Sequence, residues 1–221
     1  MSRSGLHADN LYRFFHAGGE ETLALRGVSV DVPAGAMVAV VGPSGSGKST
    51  LLACLAGIDE PDGGTVRVND TVLTRRPEWE RSRIRATQIG VLFQSANLIE
   101  HLSVARNVAL AQRLAGRRDE RKGLALLHRL GLGARTTANP SELSGGESAR
   151  AGLAVALAND PAVLLADEPT GEIDGDTERE VLDLLREQAT KGTAIVVVTH
   201  SAAVADAADR TIRMADGRVI G

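Results

Sequence analysis

Aromatic residues are almost absent from this chain. Of its 221 residues, only Tyr12, Phe14, Phe15, Trp79 and Phe93 carry an aromatic ring. A core built from this sequence must be aliphatic, and each ring is a candidate for a special role. Cysteine is nearly missing as well: Cys54 stands alone, so no disulfide can form within the chain. Lysine occurs only at positions 48, 122 and 191, and arginine supplies the remaining cationic side chains. With 25 Lys plus Arg against 28 Asp plus Glu, the formal charge is −3. That balance lacks the basic excess of general nucleic-acid binders. Long apolar runs are also lacking. A membrane span takes about 20 largely apolar residues, whereas the longest uncharged stretch, Val32 to Gly47, holds two prolines, four glycines and two serines. The first residues, Met1 to Asp9, show no apolar stretch of the secretory type. These absences predict a soluble chain in a reducing, cytoplasmic compartment.

What is present is an aliphatic core. Hydrophobic residues make up 43% of the sequence, ample for one packed domain with a small subdomain and too many for a disordered chain. Met37–Val41, Val163–Ala166 and Ile195–Val198 are unbroken aliphatic runs bounded by turn residues, as in parallel strands buried on both faces. Leu23–Val32 and Thr65–Val68 alternate as half-buried strands do, the second following the turn signal Pro61-Asp62-Gly63-Gly64. Ser103 is predicted to cap a helix running to Leu114, and Arg117–Leu130 forms a second amphipathic stretch. The expected organisation is α/β, with a core over about 1–94 and 156–221 and an inserted helical subdomain over about 95–155. Arg75, Arg76, Arg81, Arg83 and Arg85 read as a solvated face, and Cys54 as a small core residue.

The strongest motif is Gly42-Pro43-Ser44-Gly45-Ser46-Gly47-Lys48-Ser49-Thr50, which fits Gly-x-x-x-x-Gly-Lys-Ser between a buried strand and a helical pattern from Leu51 to Ala56. Glycines let successive N–H groups turn inward around phosphate oxygens, and the helix N-terminus adds its positive dipole end. Lys48 is placed to reach the β- and γ-phosphates, and the Ser49 hydroxyl to ligate Mg²⁺. This pattern predicts a nucleoside triphosphate site. Asp167 and Glu168 stand at the end of the run Val163–Ala166, where ligands of open α/β sheets bind. Asp167 is expected to hold Mg²⁺ through its hydration shell and Glu168 to polarise an attacking water. Pro169 and Gly171 are expected to turn the chain away. His200 ends the third aliphatic run at the same sheet edge, within reach of the γ-phosphate. Leu143-Ser144-Gly145-Gly146-Glu147 reads in two ways. Ser144 and Glu147 form a capping box, while the paired glycines expose N–H groups suited to phosphate. Either both phosphate-holding segments grip one nucleotide within the chain, or the second completes a site on another chain.

In these motifs and in their order the sequence resembles the ATP-binding cassette (ABC) ATPases over nearly its whole length. Gly42–Thr50 resembles their Walker A motif, Val163–Glu168 their Walker B, Leu143–Glu147 their signature, Gln94 the Q-loop glutamine, Gly171–Asp174 the D-loop and His200 the switch histidine. The resemblance implies a P-loop NTPase fold with a mainly parallel core sheet, an N-terminal antiparallel β subdomain and an inserted helical subdomain. It implies ATP and Mg²⁺ as ligands, Gln94 as a sensor of both Mg²⁺ and γ-phosphate, and a ring at Phe15 on which adenine stacks. It further implies a head-to-tail homodimer with two ATPs, each held between Walker A of one chain and Ser144, Gly145, Gly146 and Glu147 of the other, with Asp174 in the adjoining loop. An integral membrane subunit is expected to dock on the segment from Gln94 to Leu102, at the cytoplasmic face of the membrane.

Pro140–Glu147, Ala158–Pro161 and Ala166–Gly171 resemble the lipoprotein-release and macrolide-export branch, with cell-division ATPases as close relatives. DNA-repair and translation-associated members carry long insertions or a second cassette, which this chain lacks. Ser148-Ala149, Val155, Glu172 and Ile173 depart from the family pattern around the signature and D-loop.

Overall fold

The computed structural model describes residues 4–17, 20–94, 97–171, 173 and 175–220. The first half of the chain forms β1 (Gly5–Ala17), β2 (Glu20–Pro33), β3 (Met37–Val41), α1 (Lys48–Leu55), β4 (Gly63–Val68), β5 (Thr71–Val72), α2 (Glu78–Gln88) and β6 (Ile89–Leu92). The second half forms α3 (Val104–Leu114), α4 (Glu120–Arg129), α5 (Gly145–Leu157), β7 (Val163–Asp167), α6 (Gly175–Thr190), β8 (Ala194–Val198), α7 (Ala202–Ala207), β9 (Arg210–Ala215) and β10 (Arg218–Val219).

The three aliphatic runs become neighbouring strands. The main sheet has the order β10-β9-β3-β8-β7-β6, parallel throughout except at the β9–β10 edge. Successive side chains leave a strand on opposite faces, and here both faces are covered. Val38, Val40, Val163, Leu165, Val196 and Val198 pack with α1 and a second sheet. Met37, Leu164, Ala166, Ile195 and Val197 pack with α5, α6 and the α3–α4 pair. Burying each of the Val, Leu, Ile and Met side chains contributes about 1.5–3 kcal/mol, which makes this two-sided sheet the rigid platform of the molecule.

The second sheet is antiparallel, in the order β2-β1-β4-β5. Its strand β1 has no clean alternation in sequence, and the register with β2 explains why. That register shifts between Ala8 and Leu11 and again between Arg13 and Phe14, with Asn10 at φ 53°. Such bulges re-aim the side chains that follow them.

Several boundaries move relative to the sequence reading. Helix α1 already begins at Lys48 rather than near Leu51. Ser103 caps α3 as expected, accepting from the Arg106 amide. The next helix starts only at Glu120, where Asp119 caps it by accepting from the Lys122 amide; Arg117 precedes it, its guanidinium donating to the Asn159 carbonyl at 2.7 Å. The arginine-rich stretch lies around α2: Arg75, Arg76 and Arg83 are exposed, as expected of a solvated face, while Arg81 and Arg85 are half-buried against acidic partners. Arg81 pairs with Glu60 and Glu78, and Arg85 with Glu78, while Arg76 pairs with Glu80. The hydrogen bonds from Arg85 and then Ser82, with the charges of Arg85 and Arg81, pull the Glu78 carboxyl down to about 2.

Candidate functional site

Strand β3 delivers the glycine-rich loop, and two close approaches explain its composition. A Cβ at Gly42 would lie 2.1 Å from the Met214 carbonyl, and one at Gly47 2.5 Å from the Ala24 carbonyl. Gly47 also sits at φ 96°, in the left-handed region. The loop is thus wedged between β9 and the antiparallel sheet and admits no side chain at either position. Helix α1, which it opens, has no side-chain cap and no acidic residue in its first turn. Its terminal N–H groups and dipole are therefore left for an anion. Lys48 is buried, with Nζ donating to the carbonyls of Gly42 at 2.8 Å and Pro43 at 2.9 Å. The buried Ser46 hydroxyl has no hydrogen-bond partner among the described residues.

The carboxylates arrive on β7. Asp167 pairs in register with Val198 of β8, and the Glu168 amide donates to the Val198 carbonyl at 2.9 Å. The turn expected at Pro169 and Gly171 starts earlier, at Glu168 itself, which adopts φ 48°. A non-glycine residue in that region costs about 1–3 kcal/mol and is held by its surroundings. Those surroundings are visible: Glu168 Oε2 accepts from the Thr199 hydroxyl at 3.3 Å and the His200 amide at 3.2 Å. Its Oε1 is buried and has no hydrogen-bond partner among the described residues; His200 Nε2 stands 3.5 Å away. One carboxylate oxygen is anchored and the other is available.

These groups line one open cleft of about 1140 Å³ at the C-terminal edge of the parallel sheet. It brings together Phe15, Ser44, Gly45, Gly47, Lys48, Ser49, Thr50, Gln94, Asp167, Glu168 and His200, with Gly42 and Ser46 completing the loop behind them. Phe15 is 41% exposed. The guanidinium of Arg13 lies over its ring at 4.8 Å from the centroid, a residue that sequence reasoning missed. Arg13 is fixed by Asp59, through Nε and Nη2 at 2.8 Å each, and by Asp62 at 3.1 Å. Phe14 does not line the cleft; its amide donates to Asp62 at 2.8 Å.

Ser144, Gly145, Gly146 and Glu147 are not among the cleft residues. There the capping box forms in full: the Ser144 amide donates to Glu147 Oε2 at 2.9 Å, and the Glu147 amide to Ser144 Oγ at 3.2 Å. Arg135 adds a contact to Glu147 Oε1 at 2.8 Å. The Ser144 amide bond and Arg135 hold the Glu147 carboxyl below the ordinary glutamate range. Of the two arrangements open from sequence, the one in which both segments grip a single nucleotide within the chain finds no support in this geometry. Asp174, Glu172, Ser95 and Ala96 lie outside the described residues.

Among the described residues no cluster of three His, Cys, Asp or Glu side chains could hold a metal unaided. Ser49, Asp167 and Gln94 on the cleft wall suit Mg²⁺ of the kind that takes one or two protein oxygens, waters and substrate phosphates.

The family described as "ABC transporter" matches residues 25–171. The chain is 41% identical over 220 residues to the macrolide export ATP-binding/permease protein MacB of Burkholderia pseudomallei, covering 98% of this chain and 34% of that longer protein. It is 38% identical over 224 residues to the lipoprotein-releasing system ATP-binding protein LolD of Paramagnetospirillum magneticum, covering 100% and 99%. Among solved structures it is similar to MJ0796, a bacterial ABC transporter cassette, in a dimeric structure and in a dimeric post-hydrolysis state bound to ADP and Pi. TM-scores are 0.91 and 0.92 at 33% identity, covering 98% of this chain and 97% of that one.

Proposed function

The chain belongs to the ABC transporter family, and we propose that within it Lys48, Glu168 and His200 hydrolyse ATP to drive a separate membrane subunit. The observation that carries this reading is the convergence of Lys48, Asp167, Glu168 and His200 in one cleft at the edge of the parallel sheet. Lys48, released from the carbonyls of Gly42 and Pro43, neutralises the β- and γ-phosphates. The α1 N-terminus and the amides of Ser44 to Thr50 hold their oxygens. Glu168 accepts a hydrogen bond from the attacking water on its unpartnered Oε1 while Oε2 keeps the side chain in place, and His200 steadies the γ-phosphate. Ser49, Asp167 and Gln94 are the residues that would hold Mg²⁺, whose charge lowers the cost of negative charge on the phosphates.

In this reading residues 1–221 form one ATPase unit, with the helical part over about 95–155 as the coupling arm. Two copies pair head to tail, each offering Ser144 to Glu147, and Asp174, to the partner's ATP. No helix among the described residues is long and apolar enough to cross a membrane; in this reading the partner subunit spans it. Its docking site is the segment from Gln94 to Leu102. Phe93, just before the segment, and Ile99 within it are exposed, and Asn97 and Asn107 fix the backbone through bonds to Phe93 and Ile99. The likeness to MacB and LolD favours a partner of the macrolide-export or lipoprotein-release type at the cytoplasmic face of the membrane.

The test is Glu168→Gln. It is expected to retain ATP binding, accumulate the closed dimer in size-exclusion chromatography and lower turnover by about a hundredfold or more. Lys48→Ala is expected to weaken ATP binding itself. Normal turnover in Glu168→Gln would assign water activation to another group.

A further inference from the structure

We propose that Glu178 is a positioning residue for hydrolysis, holding the turn that carries His200 in register with Glu168. The inference rests on the functional reading above, in which Glu168 and His200 act on the γ-phosphate. Glu178 lies in the first turn of α6 and touches neither of them. Its Oε1 accepts two hydroxyl hydrogen bonds, from Thr170 at 3.0 Å and from Ser201 at 2.7 Å. Thr170 is buried and leaves β7 two residues after Glu168. Ser201 directly follows His200 and caps α7, its hydroxyl accepting from the Val204 amide at 3.4 Å. The Ser201 amide in turn donates to Thr199 Oγ1 at 2.9 Å, and that hydroxyl donates to Glu168 Oε2. The bonds close a ring: from Glu168 along the chain to Thr170, across Glu178 to Ser201, and through Thr199 back to Glu168.

The ring matters because, among the described residues, the His200 side chain makes no hydrogen bond and only approaches Glu168. It is 61% exposed, and its Nε2 lies 3.5 Å from Glu168. Its placement therefore depends on the backbone, which is held by the His200 amide bond to Glu168 on one side and by Ser201 on the other. A single oxygen serving two hydroxyls needs both lone pairs, which a carboxylate supplies, and the start of a helix favours its charge.

The same end of α6 is braced against the signature helix. Arg150 of α5 pairs with Glu180 at 2.8 Å, and a Cβ at Gly146 would lie 2.6 Å from Thr177 Cγ2. Glu178 thus backs two residues of the cleft wall, Thr170 and Ser201, from a helix end seated against α5. This makes it more than a charge placed to suit the helix dipole, a role that would affect stability and leave the chemical step untouched.

The experiment measures steady-state ATPase of the full chain, with thermal melts alongside. Glu178→Ala is expected to lower kcat about tenfold or more while KM for ATP stays within about twofold. Glu178→Gln, whose carboxamide oxygen accepts the same two bonds, should restore most of that loss. In a His200→Ala background, Glu178→Ala should cost less than about twofold further, because both changes disable the same group. If Glu178→Ala fails to fold, Thr170→Val removes one bond of the ring at constant shape and should lower kcat by about threefold with unchanged KM. Wild-type kcat in folded Glu178→Ala beside an impaired His200→Ala overturns the proposal, as does an undiminished loss in the His200→Ala background. Wild-type turnover in His200→Ala instead overturns the functional reading on which the proposal stands.

Discussion

Phe15 is 41% exposed at the cleft and carries a cation over its ring. The Arg13 guanidinium lies over it, locked by Asp59 and Asp62, and the Asp59 hydrogen bonds raise the Arg13 pKa further above its ordinary value. That clamp holds the ring at the cleft and leaves it free to stack a base. Stacking on an aromatic ring contributes about 1–3 kcal/mol per base. Phe15→Ala is therefore expected to weaken ATP binding by about tenfold, and Phe14→Ala, whose side chain is outside the cleft, by much less. Titration calorimetry with ATP and with inorganic tripolyphosphate separates the cases. The tripolyphosphate, which has no base, should bind both variants like the parent. Equal weakening of both ligands by Phe15→Ala would mean a damaged loop rather than a lost stacking surface.

Elements differ in how plainly the sequence announces them. Strands β3, β7 and β8 were legible because two covered faces leave no room for polar residues. Strand β1 was not, since its bulges break the alternation by which a strand is read. The glycine-rich loop and the Asp167-Glu168 pair were legible as local motifs, whereas the ring through Thr170, Glu178 and Ser201 joins three turns far apart in the chain. A glutamate at a helix start carries no signal of such a contact. The signature segment illustrates a further limit: its capping box is local and could be predicted, but the Arg135 contact to Glu147 comes from outside the motif. Because the folded state holds the Glu147 carboxyl below its ordinary value of 4.5, the resulting support is fully present above that pH. It is lost as pH falls through the lower folded value. Acidification from neutral to well below the ordinary glutamate value should thus loosen the start of α5. The readout is the exchange protection factor of the Ser144 amide, together with the Glu147 carboxyl shift in NMR. Glu147→Gln, which keeps the acceptor without the titration, should flatten the pH dependence; an unchanged slope would show that another group sets it.

In the whole molecule the cleft is shared by both sheets. Phe15, Thr22 and Ala24 come from the antiparallel sheet, while Asp167 ends a strand of the parallel one and Lys48, Glu168 and His200 follow its strands. A nucleotide seated there ties the two together. Cys54 reports on that junction, because it is fully buried in the cluster where α1 packs between side chains of both sheets. Burial pushes its thiol up to about 12, so at neutral pH it is both inaccessible and protonated, and only the thiolate reacts with thiol reagents. As the sole cysteine it gives one unambiguous signal. A disulfide reagent should label the native protein slowly, at the rate set by opening of this cluster, and label it at once in denaturant. Any ligand that binds the closed form alone opposes that opening by RT ln(1 + [L]/Kd), about 2.7 kcal/mol at a hundred times Kd. With Glu168→Gln, the change proposed to block turnover, saturating ATP should therefore slow Cys54 labelling about a hundredfold. Phe15→Ala should lose part of that protection at fixed ATP. If ATP binds and labelling does not slow, α1 opens without disturbing the nucleotide, and the two sheets are not joined through the cleft.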